Sequence, residues 1–151
     1  MVARDPPAQL GRTEADPVAR DEYLLRRIHY RSYEERPRHQ FQRSGFSPSS
    51  DDKDGLSVFR ALFCSVRELV RAARKPPTEY YVVRLRARDL LNAGFTLVPN
   101  PQPSPVPPGH TLIPEITCDM PRAERSPREA TLTEVANDPQ RSQIAWRRQA
   151  L

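Results

Sequence analysis

The chain has 151 residues, and its 24 lysines and arginines outnumber its 19 acidic residues, which gives a net charge of +5. Hydrophobic residues make up only 37% and prolines number 17, so we expect one folded domain with proline-rich flanks. No apolar run approaches the length of a membrane-spanning helix, and residues 1–20 carry no apolar signal segment. This predicts a cytoplasmic protein that does not contact a membrane.

Composition divides the chain into three regions. Residues 1–20 mix proline, alanine, arginine and acidic residues without a hydrophobic period, and predict a disordered N-terminal arm. Residues 21–118 carry the apolar patterns of a single domain. Residues 119–151 lose those patterns except at 144–146, so we expect a flexible, basic C-terminal tail there.

The first element of the domain, within residues 22–33, is compatible with two structures. Leu24, Leu25 and Ile28 suit one face of a helix, whereas the run 25–30 suits an edge strand equally well. The sequence leaves this choice open.

The next elements are a polar connection and a short strand. Phe41 and Phe46 are the large apolar groups of the connection, and we expect both rings to anchor it to the core. Asp54-Gly55 is a turn signal, and residues 56–59 predict the strand that follows it.

The main helix is expected at about residues 65–75. Ser65 and Glu68 have the spacing of a capping box, in which each side chain accepts a hydrogen bond from a backbone N–H at the helix start. Pro76 and Pro77 end the helix because neither has a backbone N–H to donate.

The stretch Thr78–Pro99 carries the clearest structural pattern. Tyrosine, valine, leucine and arginine alternate over residues 80–88, which predicts a strand with one apolar face. A helical turn ending at Gly94 and a second strand at 95–98 follow. The connection is too short for a parallel crossover, so the two strands should not pair directly in parallel.

One more strand, at residues 109–113, lies beyond a proline-rich spacer. Together these elements predict an α+β domain with a small, mostly antiparallel sheet, one main helix and disordered ends rich in proline and arginine.

The common catalytic motifs are absent. No phosphate-binding glycine loop, zinc-protease motif or nucleophile elbow occurs, and Cys64 and Cys118 have no neighbouring metal ligands. We therefore expect no metal and no cofactor. The candidate binding residues lie at the strand ends and in the tail, and they are Arg31, Gly109, His110, Trp146, Arg147 and Arg148.

Residues 25–116 resemble ADP-ribosyltransferase-like folds in the order of their candidate catalytic residues. That order is His29 or Arg31, then Ser57, whose strand is followed by a helix, and then Glu115. The resemblance implies a split, mostly antiparallel fold with a cleft for NAD, in which His29, Ser57 and Glu115 are catalytic. The succession D-G-L-S-V, L-L-N-A-G-F and G-H-x-x-I-P is also similar to small uncharacterised bacterial proteins.

These observations favour a non-enzymatic bacterial accessory protein that binds another protein through its domain and flexible ends. The alternative is an ADP-ribosyltransferase-like protein that binds or consumes NAD. A second alternative, suggested by the positive charge, is an accessory protein that binds nucleic acid.

Overall fold

The computed structural model of the protein describes residues 12–148. It contains eight strands and three α-helices in this part of the chain, which are β1 (Tyr23–His29), β2 (Tyr33–Glu34), β3 (Gln40–Phe41), β4 (Leu56–Arg60), α1 (Val66–Arg71), β5 (Tyr80–Arg86), α2 (Ala87–Asn92), β6 (Val98–Pro99), β7 (His110–Ile113), α3 (Arg122–Asn137) and β8 (Ser142–Trp146). None of the helices in residues 12–148 has the length and apolar character needed to cross a membrane.

Six strands form one antiparallel sheet in the order β6-β7-β4-β1-β5-β8, and β2 pairs with β3 in a separate two-stranded sheet. Seven residue pairs join β1 to β5, from Tyr23 opposite Arg86 to His29 opposite Tyr80. The ambiguous first element is therefore a strand. The predicted α+β class with a mostly antiparallel sheet is confirmed, and β5 and β6 do not pair directly.

The alternation along β5 separates two hydrophobic cores. Tyr81, Val83 and Leu85 lie in the larger core on one face of the sheet, together with residues of α3. Tyr80 and Val82 lie in the smaller core on the opposite face, together with residues of α1. The sheet is thus covered on both faces, by α3 on one and by the short α1 on the other.

The capping box and the helix-ending glycine are confirmed, whereas the helix expected at about 65–75 is shorter, at Val66–Arg71, and the strand expected at 95–98 is limited to Val98–Pro99. The Ser65 hydroxyl accepts a hydrogen bond from the backbone N–H of Glu68, and the Glu68 carboxylate accepts one from the backbone N–H of Ser65. Gly94 follows α2 with a φ of +98°, as a left-handed helix end requires. Phe41 and Phe46 are buried, so the predicted anchoring of the polar connection is also confirmed.

The predicted C-terminal boundary at residue 118 is wrong. α3 spans 16 residues and is the longest helix in the described chain, and β8 extends the sheet by pairing with β5. Leu132, Val135 and Ala136 recur at helical spacing and are buried against the larger core. The surrounding charges and Pro127 obscured this stripe in the sequence, and only residues 149–151 of the expected tail lie outside the described residues.

Part of the expected N-terminal arm is also attached to the domain. The Arg60 guanidinium is fully buried and donates hydrogen bonds to both carboxylate oxygens of Glu22, at 2.8 and 2.7 Å. It also donates to the backbone carbonyls of Glu14, Asp16 and Pro17. An arginine buried at the end of β4 therefore holds residues 14–17, whereas residues 1–11 lie outside the described part of the chain.

Candidate active site

A polar cavity of about 480 Å³ opens at the β4 and β7 end of the face that α1 covers. Strand residues form part of its wall, and the end of α1 and the proline-rich spacer close the other sides. Its lining residues are Arg26, Arg27, Ser47, Ser49, Asp51, Asp52, Ser57, Phe59, Ala72, Pro105, Val106, Pro107 and His110. The volume lies in the range of small-molecule sites in proteins.

Ser57 and His110 meet on the wall of this cavity. They belong to neighbouring strands, and the register that places Phe59 opposite His110 brings Ser57 diagonally beside the imidazole ring. Ser57 Oγ lies 2.9 Å from His110 Nε2, and the ring packs edge-on against Phe59 with 5.3 Å between the ring centroids. The hydroxyl and the imidazole are therefore held at hydrogen-bonding distance.

The second ring nitrogen of His110 fixes which atom carries the proton. Nδ1 lies 2.9 Å from the backbone carbonyl oxygen of Asn100, which can only accept a hydrogen bond, and 3.4 Å from the side-chain Nδ2 of the same residue. We assign the proton to Nδ1 because the contact with the carbonyl is the shorter one. In neutral His110 the proton is then on Nδ1, and Nε2 presents a lone pair to Ser57. The Ser57 hydroxyl donates to this lone pair, which is the arrangement that a general base and its nucleophile need.

Asp52 offers the Ser57 hydroxyl a second acceptor. Asp52 Oδ1 lies 3.3 Å from Ser57 Oγ, while Asp52 Oδ2 accepts hydrogen bonds from the backbone N–H and the hydroxyl of Ser49. Of the two acceptors within reach of the Ser57 hydroxyl, His110 Nε2 is therefore the nearer, at 2.9 Å against 3.3 Å for Asp52 Oδ1.

Arg26 stands where β1 and β4 separate. Pairing between the two strands comprises Leu24 opposite Arg60 and Leu25 opposite Phe59. Beyond these pairs, Arg26 Nε donates to the carbonyl of Gly45 and Nη1 donates to that of Ser57, at 2.9 and 2.8 Å. The guanidinium thus replaces strand pairing with side-chain hydrogen bonds and holds the Ser57 backbone in place.

Both cavity arginines are half-buried. Burial lowers the pKa of Arg26 to about 10, although the nearby charge of Asp52 acts in the opposite direction. Burial also lowers the pKa of Arg27, whose Nη1 donates a hydrogen bond to the carbonyl of Leu69 at 2.6 Å. Arg26 remains a cation at neutral pH, so its positive charge is held at the backbone carbonyl of Ser57.

The other two residues that the ADP-ribosyltransferase resemblance marks as catalytic lie away from this cavity. His29 Nε2 lies 2.8 Å from a carboxylate oxygen of Glu79, and its Nδ1 accepts from the backbone N–H of Arg31. Glu115 accepts hydrogen bonds from the backbone N–H and the hydroxyl of Thr96, at 2.8 and 2.6 Å. Ser57 lines the cavity, whereas His29 and Glu115 are engaged in local networks elsewhere.

The predicted binding residues are likewise dispersed. Gly109 is required by the backbone, because its φ is +86° and a Cβ there would lie 3.0 Å from the carbonyl oxygen of Arg60. Trp146 packs against the smaller core as part of β8. The Arg148 guanidinium lies over the ring of Tyr30, 4.2 Å from its centroid. His110 is therefore the predicted binding residue that reaches the cavity beside Ser57.

Three residues that contribute to the site could not be recognised from the sequence. Asn100 acts through its backbone carbonyl, which any residue provides. Asp52 lies among charged residues just ahead of the Asp54-Gly55 turn, and Arg26 is one of several arginines in the first element. The sequence feature that did indicate the site is Gly109-His110 at the start of a strand, together with Ser57 on the strand that pairs with it.

Within residues 12–148, no group of three or more histidine, cysteine, aspartate or glutamate side chains has an arrangement that could hold a metal ion. Comparisons with protein-family models, with curated proteins and with solved structures gave no match.

Proposed function

We propose that the protein is a serine-dependent hydrolase or acyltransferase that acts on a small polar ester in the cavity at Ser57. The observation that carries this proposal is the pair of hydrogen bonds in which Ser57 Oγ donates to His110 Nε2 and His110 Nδ1 donates to the Asn100 carbonyl. It contains a nucleophile, its base and a group that orients the base, which are the roles that nucleophilic catalysis requires.

The proposed reaction has two steps. Ser57 Oγ attacks the carbonyl carbon of the ester while His110 Nε2 takes the hydroxyl proton, and the leaving alkoxide then receives that proton from His110. Water or an acceptor alcohol attacks the acyl-serine in the second step, again giving its proton to His110, and the Ser57 hydroxyl is restored. General base catalysis of this kind contributes about 10²–10⁴-fold in rate.

Charge in the cavity supports a polar substrate. Arg26 and Arg27 supply two positive charges, and Asp51 and Asp52 supply two negative charges. The positive potential of the two arginines favours the negative charge that develops on the carbonyl oxygen during attack, while Nε and Nη1 of Arg26 and Nη1 of Arg27 stay bonded to backbone carbonyls. The mixture of signs favours a substrate that carries polar or charged groups beside its ester.

The earlier hypotheses remain predictions. Of the three residues that the NAD hypothesis marks as catalytic, Ser57 lines the cavity, whereas His29 and Glu115 do not. The partner-binding hypothesis relies on a C-terminal tail, but α3 and β8 belong to the domain. Fewer residues are therefore left outside the domain to bind a partner protein.

A fluorophosphonate probe tests the proposed nucleophile. Ser57 Oγ displaces fluoride from phosphorus, forming an oxygen–phosphorus bond while its proton passes to His110. We expect the full chain to be labelled at Ser57, as located by mass spectrometry, and the Ser57→Ala variant to lose that adduct. His110→Gln should slow labelling by about 10²-fold or more.

Ser47→Ala is the matched control, because Ser47 lines the same cavity and its hydroxyl takes no part in the contacts of Ser57, His110 and Asp52. It should label within a few-fold of the natural chain. Failure of the natural chain to label, or a Ser47→Ala loss equal to that of Ser57→Ala, would contradict the proposal. A thermal shift with NAD in place of the probe would instead favour the dinucleotide hypothesis.

A further inference from the structure

A second concave site lies at the other end of the face that α1 covers. Its volume is about 400 Å³, and four of its ten lining residues are arginines. The arginines are Arg84, Arg86, Arg88 and Arg141, and Tyr23 and Asp89 lie beside them. Arg84 lies opposite Leu25 on β1, and Leu25 in turn lies opposite Phe59, so alternation assigns this site to the same face as Ser57.

Two of the four arginines retain uncompensated charge. Arg88 is 4.0 Å from the carboxylate of Asp89, and Arg141 is 2.8 Å from that of Asp138. Within residues 12–148, neither Arg84 nor Arg86 forms a salt bridge at this distance limit of 4.0 Å. The site therefore keeps a net positive charge, even though the carboxylates of Asp89 and Asp138 lie close to it.

Tyr23 holds the two uncompensated guanidinium groups in place. It lies directly opposite Arg86 in the sheet, and the Arg86 Nη2 donates a hydrogen bond to its hydroxyl oxygen. Both guanidinium carbons lie over its ring, at 5.5 Å for Arg84 and 5.1 Å for Arg86 from the centroid. Side chains ordered in this way lose less conformational entropy when they bind a ligand.

Arg84 also has unused donor capacity. Its Nη1 donates to Gln143 at 3.4 Å, which is a weak contact, and its Nε is buried without a hydrogen-bond partner among the described residues. A buried N–H without an acceptor is costly. A ligand oxygen that reached this position would remove that cost.

We propose that this arginine site, formed around Tyr23, Arg84 and Arg86, binds phosphate groups such as those of nucleotides and nucleic acids. Arginine suits phosphate because its planar donors pair with two oxygens at once. Residues two apart on a strand are about 6.6 Å apart, so Arg84 and Arg86 can contact adjacent phosphates or two sides of one. The site is separate from the cavity at Ser57, and the two proposals stand independently.

Fluorescence anisotropy with a labelled single-stranded oligonucleotide tests the proposal, with inorganic pyrophosphate as a small competitor. We expect binding to weaken with salt, and Arg84→Glu combined with Arg86→Glu to reduce affinity by about tenfold or more and to flatten the log–log salt slope by about 1.4. Arg36→Glu combined with Arg38→Glu is the matched control, because these exposed arginines have the same spacing in the β2–β3 connection.

Each outcome of this experiment either supports or contradicts phosphate binding at the arginine site. If pyrophosphate displaces the oligonucleotide, the result supports a compact phosphate ligand. If pyrophosphate does not displace it but the variant with Arg84→Glu and Arg86→Glu loses affinity, the result supports a nucleic acid strand. Equal losses in the control variant, no salt-dependent binding, or equally strong displacement by polyglutamate would overturn the proposal. Arg84→Lys combined with Arg86→Lys keeps the charge and the fold, and its partial loss would show that the planar guanidinium groups contribute.

Discussion

Replacing Glu22 by glutamine removes the carboxylate that both Nε and Nη2 of Arg60 contact. The Arg60 guanidinium is fully buried, and the Glu22 side chain is only 3% exposed. Glutamine retains one oxygen acceptor but turns an amide donor toward the other guanidinium N–H. A buried positive charge then loses its counter-charge, which is among the costly single changes in a protein.

Removing one member of a buried ion pair costs about 3–5 kcal/mol. Three backbone carbonyls still accept hydrogen bonds from Arg60, so we expect the lower end of this range for Glu22→Gln, about 3 kcal/mol. For a domain of this size each 1 kcal/mol lowers the melting temperature by about 2–4 °C, which gives a decrease of about 6–12 °C.

The pH dependence has a defined sign. Burial raises the pKa of Glu22, but hydrogen bonds from Arg60 and the backbone N–H of Ala19, with the charges of Arg60 and Arg12, hold this pKa below its usual value. The stabilising contribution is therefore complete above the pKa of an unfolded glutamate. It is lost as the pH falls through the lower pKa of the folded state.

Urea denaturation at several pH values measures both effects. The stability difference between the natural chain and Glu22→Gln should be largest near neutral pH and shrink in acid. Glu134→Gln changes an exposed glutamate on α3 and should alter stability by less than about 0.5 kcal/mol. A Glu22→Gln loss below about 1 kcal/mol, typical of surface pairs, would refute the reasoning.

Three further results are expected. Ser65→Ala removes the hydroxyl that caps α1 and should cost about 0.5–2 kcal/mol in urea denaturation. Burial raises the pKa of the Cys64 thiol to about 11, so iodoacetamide should alkylate Cys118 before Cys64 in the native protein, and the reverse order would contradict the assigned burial. Asp52→Ala removes the second acceptor of the Ser57 hydroxyl, so labelling by the fluorophosphonate probe at neutral pH should not slow, and a loss equal to that of His110→Gln would argue against His110 as the base.

The features predicted correctly from the sequence depend on neighbouring residues. The capping box needs two side chains three positions apart, and the end of α2 needs one glycine. The helix-or-strand ambiguity at Leu24 and Leu25 could not be resolved locally, because β1 is stabilised by pairing along its whole length with β5. Long-range pairing of this kind overrides local preference.

The candidate active site was visible only in part for the same reason. Ser57 and His110 were both noted, yet they are 53 residues apart and meet because β4 and β7 are neighbours. Arg60 and Arg26 resemble exposed arginines in the sequence, since burial of an arginine depends on carbonyls and carboxylates supplied by distant segments. Composition cannot indicate which arginines these will be.

The positions of the two proposed sites follow from the lengths of the helices. β1 has seven residues and is about 23 Å long, whereas α1 has six residues and is about 9 Å long, so α1 is too short to cover its face of the sheet from end to end. On the opposite face, α3 with 16 residues is about 24 Å long, which is enough to span the strands. Leu25, Phe59 and Val82 form the dry centre beneath α1. To either side of this centre the same face carries polar groups, with Ser57 and His110 toward β7 and Arg84 and Arg86 toward β8, because α1 is too short to cover the whole face.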